Sequence, residues 1–226
     1  MTQSSDTAFF VIKWSNYARR RSGLFLGGNK QMKILSRFSF LFLSVLLAPG
    51  SLAALGSVAR MLLPRSAQAQ DFESKKIVPF VPTPQDVVDK MIDLAGVKEG
   101  DVVYDLGSGD GRIVITAAKK GAKAVGFDID GDLVKESRAN IQKAGLQSSA
   151  EIRQQDILTV DLSGASVVTM YLLPDVNLKL RPHILSQMKP GSRVVSHAFD
   201  MGDWKPDKTE KINGRTIYLW IVPAKK

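Results

Sequence analysis

From residue 83 onward the apolar positions alternate between two periods. Val87, Val88, Met91, Ile92 and Ala95 recur at helical spacing behind Thr83, Pro84, Gln85 and Asp86. Thr83 is expected to cap this helix, Pro84 to take its first position, and Gly96 to stop it. A β-branched run over 101–106 reads as a strand, and 111–120 as a helix with Ile113, Val114, Ala117 and Ala118 on its inner side. A second strand is expected over 124–128, a helix over 130–144 ended by Gly145, and a third strand over 151–154. The run "SVVTMYLL" holds a fourth strand over 166–172, almost continuously apolar, as a parallel strand buried on both faces should be. A helix over 176–188, a turn at Pro190 and Gly191, and a fifth strand over 193–197 follow. The chain closes differently, with runs over 208–212 and 215–222 flanking Asn213-Gly214, a strong hairpin signal. The pattern predicts an α/β fold: a Rossmann-like, doubly wound sheet in three layers, ending in an antiparallel hairpin.

Charge divides the chain before any motif does. Nine of the 31 Lys and Arg but only one of the 22 acids, Asp6, lie in the first 70 residues, so the excess of +9 belongs to the leader and the rest is nearly balanced. That distribution argues against a nucleic-acid partner. Within the leader, scattered basic residues precede an uncharged run over 38–59 and a small-x-small site at Ala67-Gln68-Ala69, the layout of an export signal cleaved before Gln70. Met32 stands where such a signal usually starts. The run is also long enough to remain as a membrane anchor, although Pro49 and Gly50 interrupt it. Arg19, Arg20 and Arg21 admit a twin-arginine reading and the acid-poor composition a mitochondrial import sequence; a buried helix of the domain is the plain alternative. The expected organisation is a targeting or anchor segment over 1–70, a linker over 71–82 ("DFESKKIVPFVP") and a catalytic domain over 83–226, monomeric, on the exported side of a membrane or in mitochondria. With no cysteine and only His183 and His197, the chain has no disulfide or thiol chemistry and no evident metal site.

The chemistry concentrates in "VVYDLGSGDGRI". Gly107, Gly109 and Gly111 stand at alternate positions just past the first strand, where a doubly wound sheet binds its ligand. A dinucleotide site spaces its glycines G-x-G-x-x-G so that a helix N-terminus meets a pyrophosphate. Here Asp105 precedes the glycines by two positions, and a carboxylate so close would repel a pyrophosphate and suit a cationic ligand. Asp128 in "AVGFDID" ends the second strand 23 positions after Asp105, near the spacing of a ribose-binding acid. Asp156 in "RQQDIL" follows the third strand, and both acids also admit a reading as ordinary polar strand ends.

"YDLGSGDGRI" resembles the first motif of the class I, seven-strand methyltransferases that use S-adenosylmethionine. The resemblance implies that Gly107, Ser108 and Gly109 wrap the methionine portion of that cofactor, with Asp105 close by. It implies that Asp128 takes the ribose hydroxyls, that Asp156 reaches the adenine amino group, and that Ile129 and Ile157 pack on the adenine faces. Over residues from about 78 to the end, "VPFVPTPQDVV", "DLGSGDGRIVITAAKKGAKAVGFD" and "DWKPD" are similar to small mitochondrial lysine methyltransferases of the ATP synthase c-subunit and the adenine nucleotide translocase, and to bacterial relatives. That similarity implies that the box Pro79-Phe80-Val81-Pro82, with Thr83, folds over the cofactor, and that the acceptor is a protein lysine, in one reading on a membrane protein. A small molecule or membrane lipid as acceptor, or a binding domain without catalysis, are the alternatives.

Amino-directed nucleic-acid methyltransferases carry an Asp/Asn-Pro-Pro-Tyr box after strand four, where this chain reads Tyr171-Leu172-Leu173-Pro174-Asp175. Tyr171 and Asp175 are the candidate catalytic residues, as orienters of the incoming amine; for Tyr171 an ordinary strand-end aromatic is the competing reading. His197, Phe199, Asp200 and Trp204, after strand five, either border the acceptor channel or form a surface loop.

Overall fold

The structure is a computed structural model that describes residues 80–224. The leader and most of the linker expected from the sequence lie outside the described residues. Helices and strands alternate along the chain in the order: α1 (Gln85–Leu94), β1 (Val102–Leu106), α2 (Arg112–Lys119), β2 (Lys123–Asp128), α3 (Gly131–Lys143), β3 (Ala150–Gln154), β4 (Val167–Met170), α4 (Pro174–Gln187), β5 (Arg193–His197), β6 (Lys208–Ile212) and β7 (Arg215–Ile221), with a short 3₁₀ helix (Ile157–Thr159) before β4. The strands build one seven-stranded sheet in the order β3-β2-β1-β4-β5-β7-β6. β1 pairs in parallel with both β2 and β4, so the winding reverses beside β1. Among these strands, only β7 runs antiparallel to its neighbours, β5 and β6.

Each strand is buried according to its place. All four residues of β4, at the centre, are buried, whereas the edge strands alternate or stay wet. One face of the sheet packs against α1, α2 and α3 through Val87, Met91, Val114, Ala117, Val134 and Ile141. The other packs against α4 through Val176, Leu180 and Ile184, with Trp220 and Met170 fully buried beside them. Both cores are continuous because apolar side chains at helical spacing meet strands buried on both faces.

Helix α1 begins differently from the expectation. Thr83 is not its cap: the chain enters through Pro84, whose carbonyl accepts from Val87 and Val88 backbone N–H groups, and the Thr83 hydroxyl is bonded elsewhere. Asp130 does cap α3, its carboxylate accepting from the N–H groups of Asp132 at 3.0 Å and Leu133 at 3.4 Å. The fourth strand ends at Met170, so Tyr171 and Leu172 leave the ladder at the rim of the sheet. At the closing hairpin, Asn213 (φ 49°) and Gly214 (φ 75°) take the two left-handed positions of a tight two-residue turn.

A polar knot lies under the amino ends of the strands. Asp101 accepts from the Ser166 hydroxyl at 2.8 Å, from Lys98 N–H at 3.0 Å, and from the guanidinium of Arg193, which also donates to the Ala95 carbonyl at 3.0 Å. Burial raises the pKa of Asp101, but these hydrogen bonds prevail and hold it below its ordinary value.

Candidate active site

The carboxyl ends of β1, β2 and β4 open into a cleft that merges with solvent, walled by the glycine loop on one side and by residues 80–83 on another. The Gly107 and Ser108 N–H groups donate to the Phe127 carbonyl at 2.9 and 3.0 Å, which folds the glycine loop back over β2. Gly109 (φ 54°) donates its N–H to Asp128 Oδ2 at 2.8 Å, while Asp128 Oδ1 accepts from Asp130 N–H at 3.0 Å. A Cβ on Gly109 would stand 2.3 Å from the Phe80 ring, so only glycine lets that ring settle on the loop.

Of the residues expected from the sequence, Pro82, Thr83, Gly107, Ser108, Asp128, Ile129, Asp156, Ile157 and Tyr171 all line this one cleft. Three others stand outside its wall. Asp105 is 1% exposed behind it, accepting from the Thr169 hydroxyl at 2.7 Å, because its side chain points into the sheet where β4 faces it. Gly109 is covered by Phe80, and Asp175 is exposed on the first turn of α4. His197 is buried, not part of a surface loop, and Trp204 packs on Trp220 in the core below the rim. The cleft also recruits Phe80, Asp110, Arg112, Asp130, Leu133 and Leu172. Asp110 and Arg112 belong to the glycine motif itself: Arg112 grips Asp110 through Nε at 3.0 Å and donates from Nη1 to the Thr83 carbonyl at 2.8 Å. Residues 80–82, assigned to the linker on sequence, thereby form part of the wall.

Electrostatically the cleft favours a cation with hydroxyl groups. Burial raises the pKa of Asp128, partly offset by its two backbone N–H donors, and each carboxylate oxygen keeps lone-pair capacity for a diol. Burial, with the charges of Asp128 and Asp110 behind it, raises Asp105 to about 7 against the pull of Thr169. Asp156 accepts from Leu158 N–H at 3.0 Å, which fixes its carboxyl at the start of the 3₁₀ helix beside Ile157. Bare backbone at Gly107, a diol-ready acid at Asp128 and apolar Ile129 and Ile157 fit the methionine, ribose and adenine parts of S-adenosylmethionine. Fold and site together define a class I, S-adenosylmethionine-dependent methyltransferase.

The comparisons with known proteins narrow this. Residues 105–208 match the ANTKMT methyltransferase domain. The chain is 45% identical over 155 residues to a protein-lysine N-methyltransferase of Saccharolobus islandicus, covering 66% of this chain and 96% of that protein. It is 31% identical over 177 residues to the human lysine N-methyltransferase of the ATP synthase c-subunit, covering 78% of this chain and 73% of that protein. Among solved structures, an RNA methyltransferase from Salinibacter ruber in complex with S-adenosyl-L-homocysteine superposes with a TM-score of 0.64 at 56% identity, covering 65% of this chain and 96% of that one. The chain belongs to the family of protein-lysine N-methyltransferases, enzymes that use S-adenosylmethionine.

Proposed function

We propose that this enzyme methylates the ε-amine of a lysine in a membrane protein. The observation that carries the acceptor class is the 45% identity to a protein-lysine N-methyltransferase across nearly all of that protein's length. A membrane target is supported by the similarity to the human enzyme of the ATP synthase c-subunit and by the uncharged run over 38–59, which on this reading brings the chain to or through a membrane as signal or anchor. The catalytic domain then spans 83–226, with residues 80–82 contributing to its site.

When bound, S-adenosylmethionine supplies an electrophilic methyl group on a cationic sulfur, which a neutral amine displaces in line. The protein has little proton chemistry to perform, because positive charge moves from sulfur to nitrogen without being created. Its work is placement and exclusion of water. The backbone at Gly107 and Ser108, with Asp128, would hold the methyl donor, Phe80 and Pro82 would cover it, and a lysine entering this partly apolar rim would lose its proton more readily than in water. Tyr171 is half-buried, and burial raises its pKa, so it remains a phenol whose oxygen accepts from the amine and aligns the nitrogen lone pair.

An RNA acceptor, suggested by the name of the Salinibacter ruber protein, suits this chain less well: Asp110, Asp128, Asp130 and Asp156 line the cleft and the basic excess lies in the first 70 residues. The test is to incubate the full-length protein with methyl-labelled cofactor and total membranes, then locate the label by mass spectrometry. Label on lysine of a membrane protein is expected. Label in lipid or RNA, with none on lysine, overturns the assignment.

A further inference from the structure

Beyond the cofactor cleft, the carboxyl end of β5 carries an arrangement that cofactor binding alone does not require. His197 is 2% exposed, and its Nδ1 lies 3.2 Å from the Thr83 hydroxyl, joining residues 114 positions apart. Its ring also stands 4.0 Å, centroid to centroid, from that of Tyr171 in the cleft wall. Directly after it the backbone is forced: Ala198 has φ 68°, a left-handed conformation that is strained for a residue with a Cβ.

Several groups hold the chain in that conformation. Ala198 N–H donates to the Thr216 carbonyl at 2.8 Å, the Ser196 hydroxyl to the Phe199 carbonyl at 2.6 Å, and the buried Asn177 amide to the Phe199 and Asp200 carbonyls at 3.2 Å each. The result is that Phe199 lies nearly parallel to Tyr171, at 16° and 6.4 Å. Two aromatic faces beside a buried imidazole suit an alkyl amine and its methylated, cationic product. Thr83 completes the link, since its carbonyl receives Arg112, which is gripped to Asp110 in the glycine motif.

We propose that His197 is a positioning residue for the acceptor side of the site, holding the Tyr171 ring and Thr83 as one unit that receives the acceptor's amine beside the methyl donor. The inference rests on an amine acceptor, as proposed above, and not on which protein carries it. Were His197 only a structural staple, its loss would lower stability and weaken every cofactor analogue alike.

Two analogues separate these roles. S-adenosylhomocysteine has nothing where the methyl group would be, whereas sinefungin has a carbon in place of the sulfur, bearing an amine where the methyl group would be, and so presents an amine to the acceptor side. Calorimetry on the full-length protein should show sinefungin bound more tightly than S-adenosylhomocysteine. His197→Phe keeps a ring without the hydrogen bond, and Thr83→Val keeps the shape without the hydroxyl. Each should cut the preference about fivefold, with the double variant no worse than either single change, because the two act through one contact. Thr83→Ser and His197→Asn should restore most of it, and the S-adenosylhomocysteine affinity of His197→Phe should stay within about twofold of the wild type. No preference in the wild type, a preference intact in His197→Phe, or losses that multiply in the double variant would each overturn the proposal. Neither analogue has a transferable methyl group, so the result is independent of the labelling experiment that tests the lysine acceptor.

Discussion

Asp101 and Asp105 lie four residues apart on the first strand and its approach, both buried, and their surroundings treat them oppositely. At the amino end, Asp101 has a guanidinium, a hydroxyl and a backbone N–H around it, and its pKa falls. At the carboxyl end, Asp105 has one hydroxyl on one oxygen, while its other oxygen is buried without a hydrogen-bond partner, and its pKa rises to about 7. The same end holds His197, pushed down to about 4 by burial and then by the nearby charge of Arg215, and the forced backbone at Ala198. The difference teaches where this fold keeps its stability and where it keeps its chemistry. One end of the sheet is satisfied; the other is left poised for a ligand, at a cost in stability.

That contrast can be broken most severely at the satisfied end. Arg193→Met leaves Asp101 buried beside two neutral donors, and should cost about 3–5 kcal/mol of unfolding free energy by denaturant titration, while S-adenosylhomocysteine affinity of the folded fraction stays unchanged. At the poised end the outcome reverses. Asp128→Asn should weaken S-adenosylhomocysteine by about 1–3 kcal/mol in calorimetry and cost less stability than Arg193→Met, since a ligand hydrogen bond and one backbone N–H contact are lost but no buried charge is stranded. If both variants lost stability equally, the division between the two ends would not stand.

Two pH experiments sharpen the comparison. The unfolded chain protonates His197 near 6.5, whereas the folded one does so only near 4, so the contribution of His197 to folding stability should fall as pH drops through that window. The slope approaches about 1.4 kcal/mol per pH unit well inside it, and His197→Phe should remove that slope. Asp105 works in the other direction. Its folded value near 7 lies above the 3.8 of the unfolded chain, so its burial is harmless at low pH and increasingly destabilising as pH rises from 4 to 7. Asp105→Asn should therefore gain about 1 kcal/mol at pH 8, allowing for the amide's own imperfect hydrogen bonding, and little at pH 4. A gain equal at both pH values would mean that the carboxylate is not held under strain.

Much of this was visible in the residues. The switch from helical to strand period located every strand within a few positions, because apolar side chains on a two-sided sheet must recur that way, and "GSGDGRI" with Asp128 and Asp156 marked the cleft. What escaped involves partners distant in the chain. Thr83 looks like a helix cap because its local sequence is right for one, yet its hydroxyl finds His197 across the sheet. Nothing local reveals that the Phe80 ring rests on Gly109, or that Asp105, beside the glycines in sequence, faces Thr169 instead of the cleft. Tyr171 and Leu172 read as a continuation of β4 by composition alone, but they leave the ladder to line the site.

The outer strands of the sheet carry a further consequence. β3 presents Glu151 and Arg153, paired to each other at 2.9 Å, and β6 presents Lys208, Glu210 and Lys211. A foreign strand seeking to extend the sheet would have to strip water from those ions before making a single backbone bond. The peptide groups at both margins are thus guarded against amyloid-like stacking, and approach by another polypeptide is steered away from the margins toward the open rim, where Tyr171 and Phe199 stand.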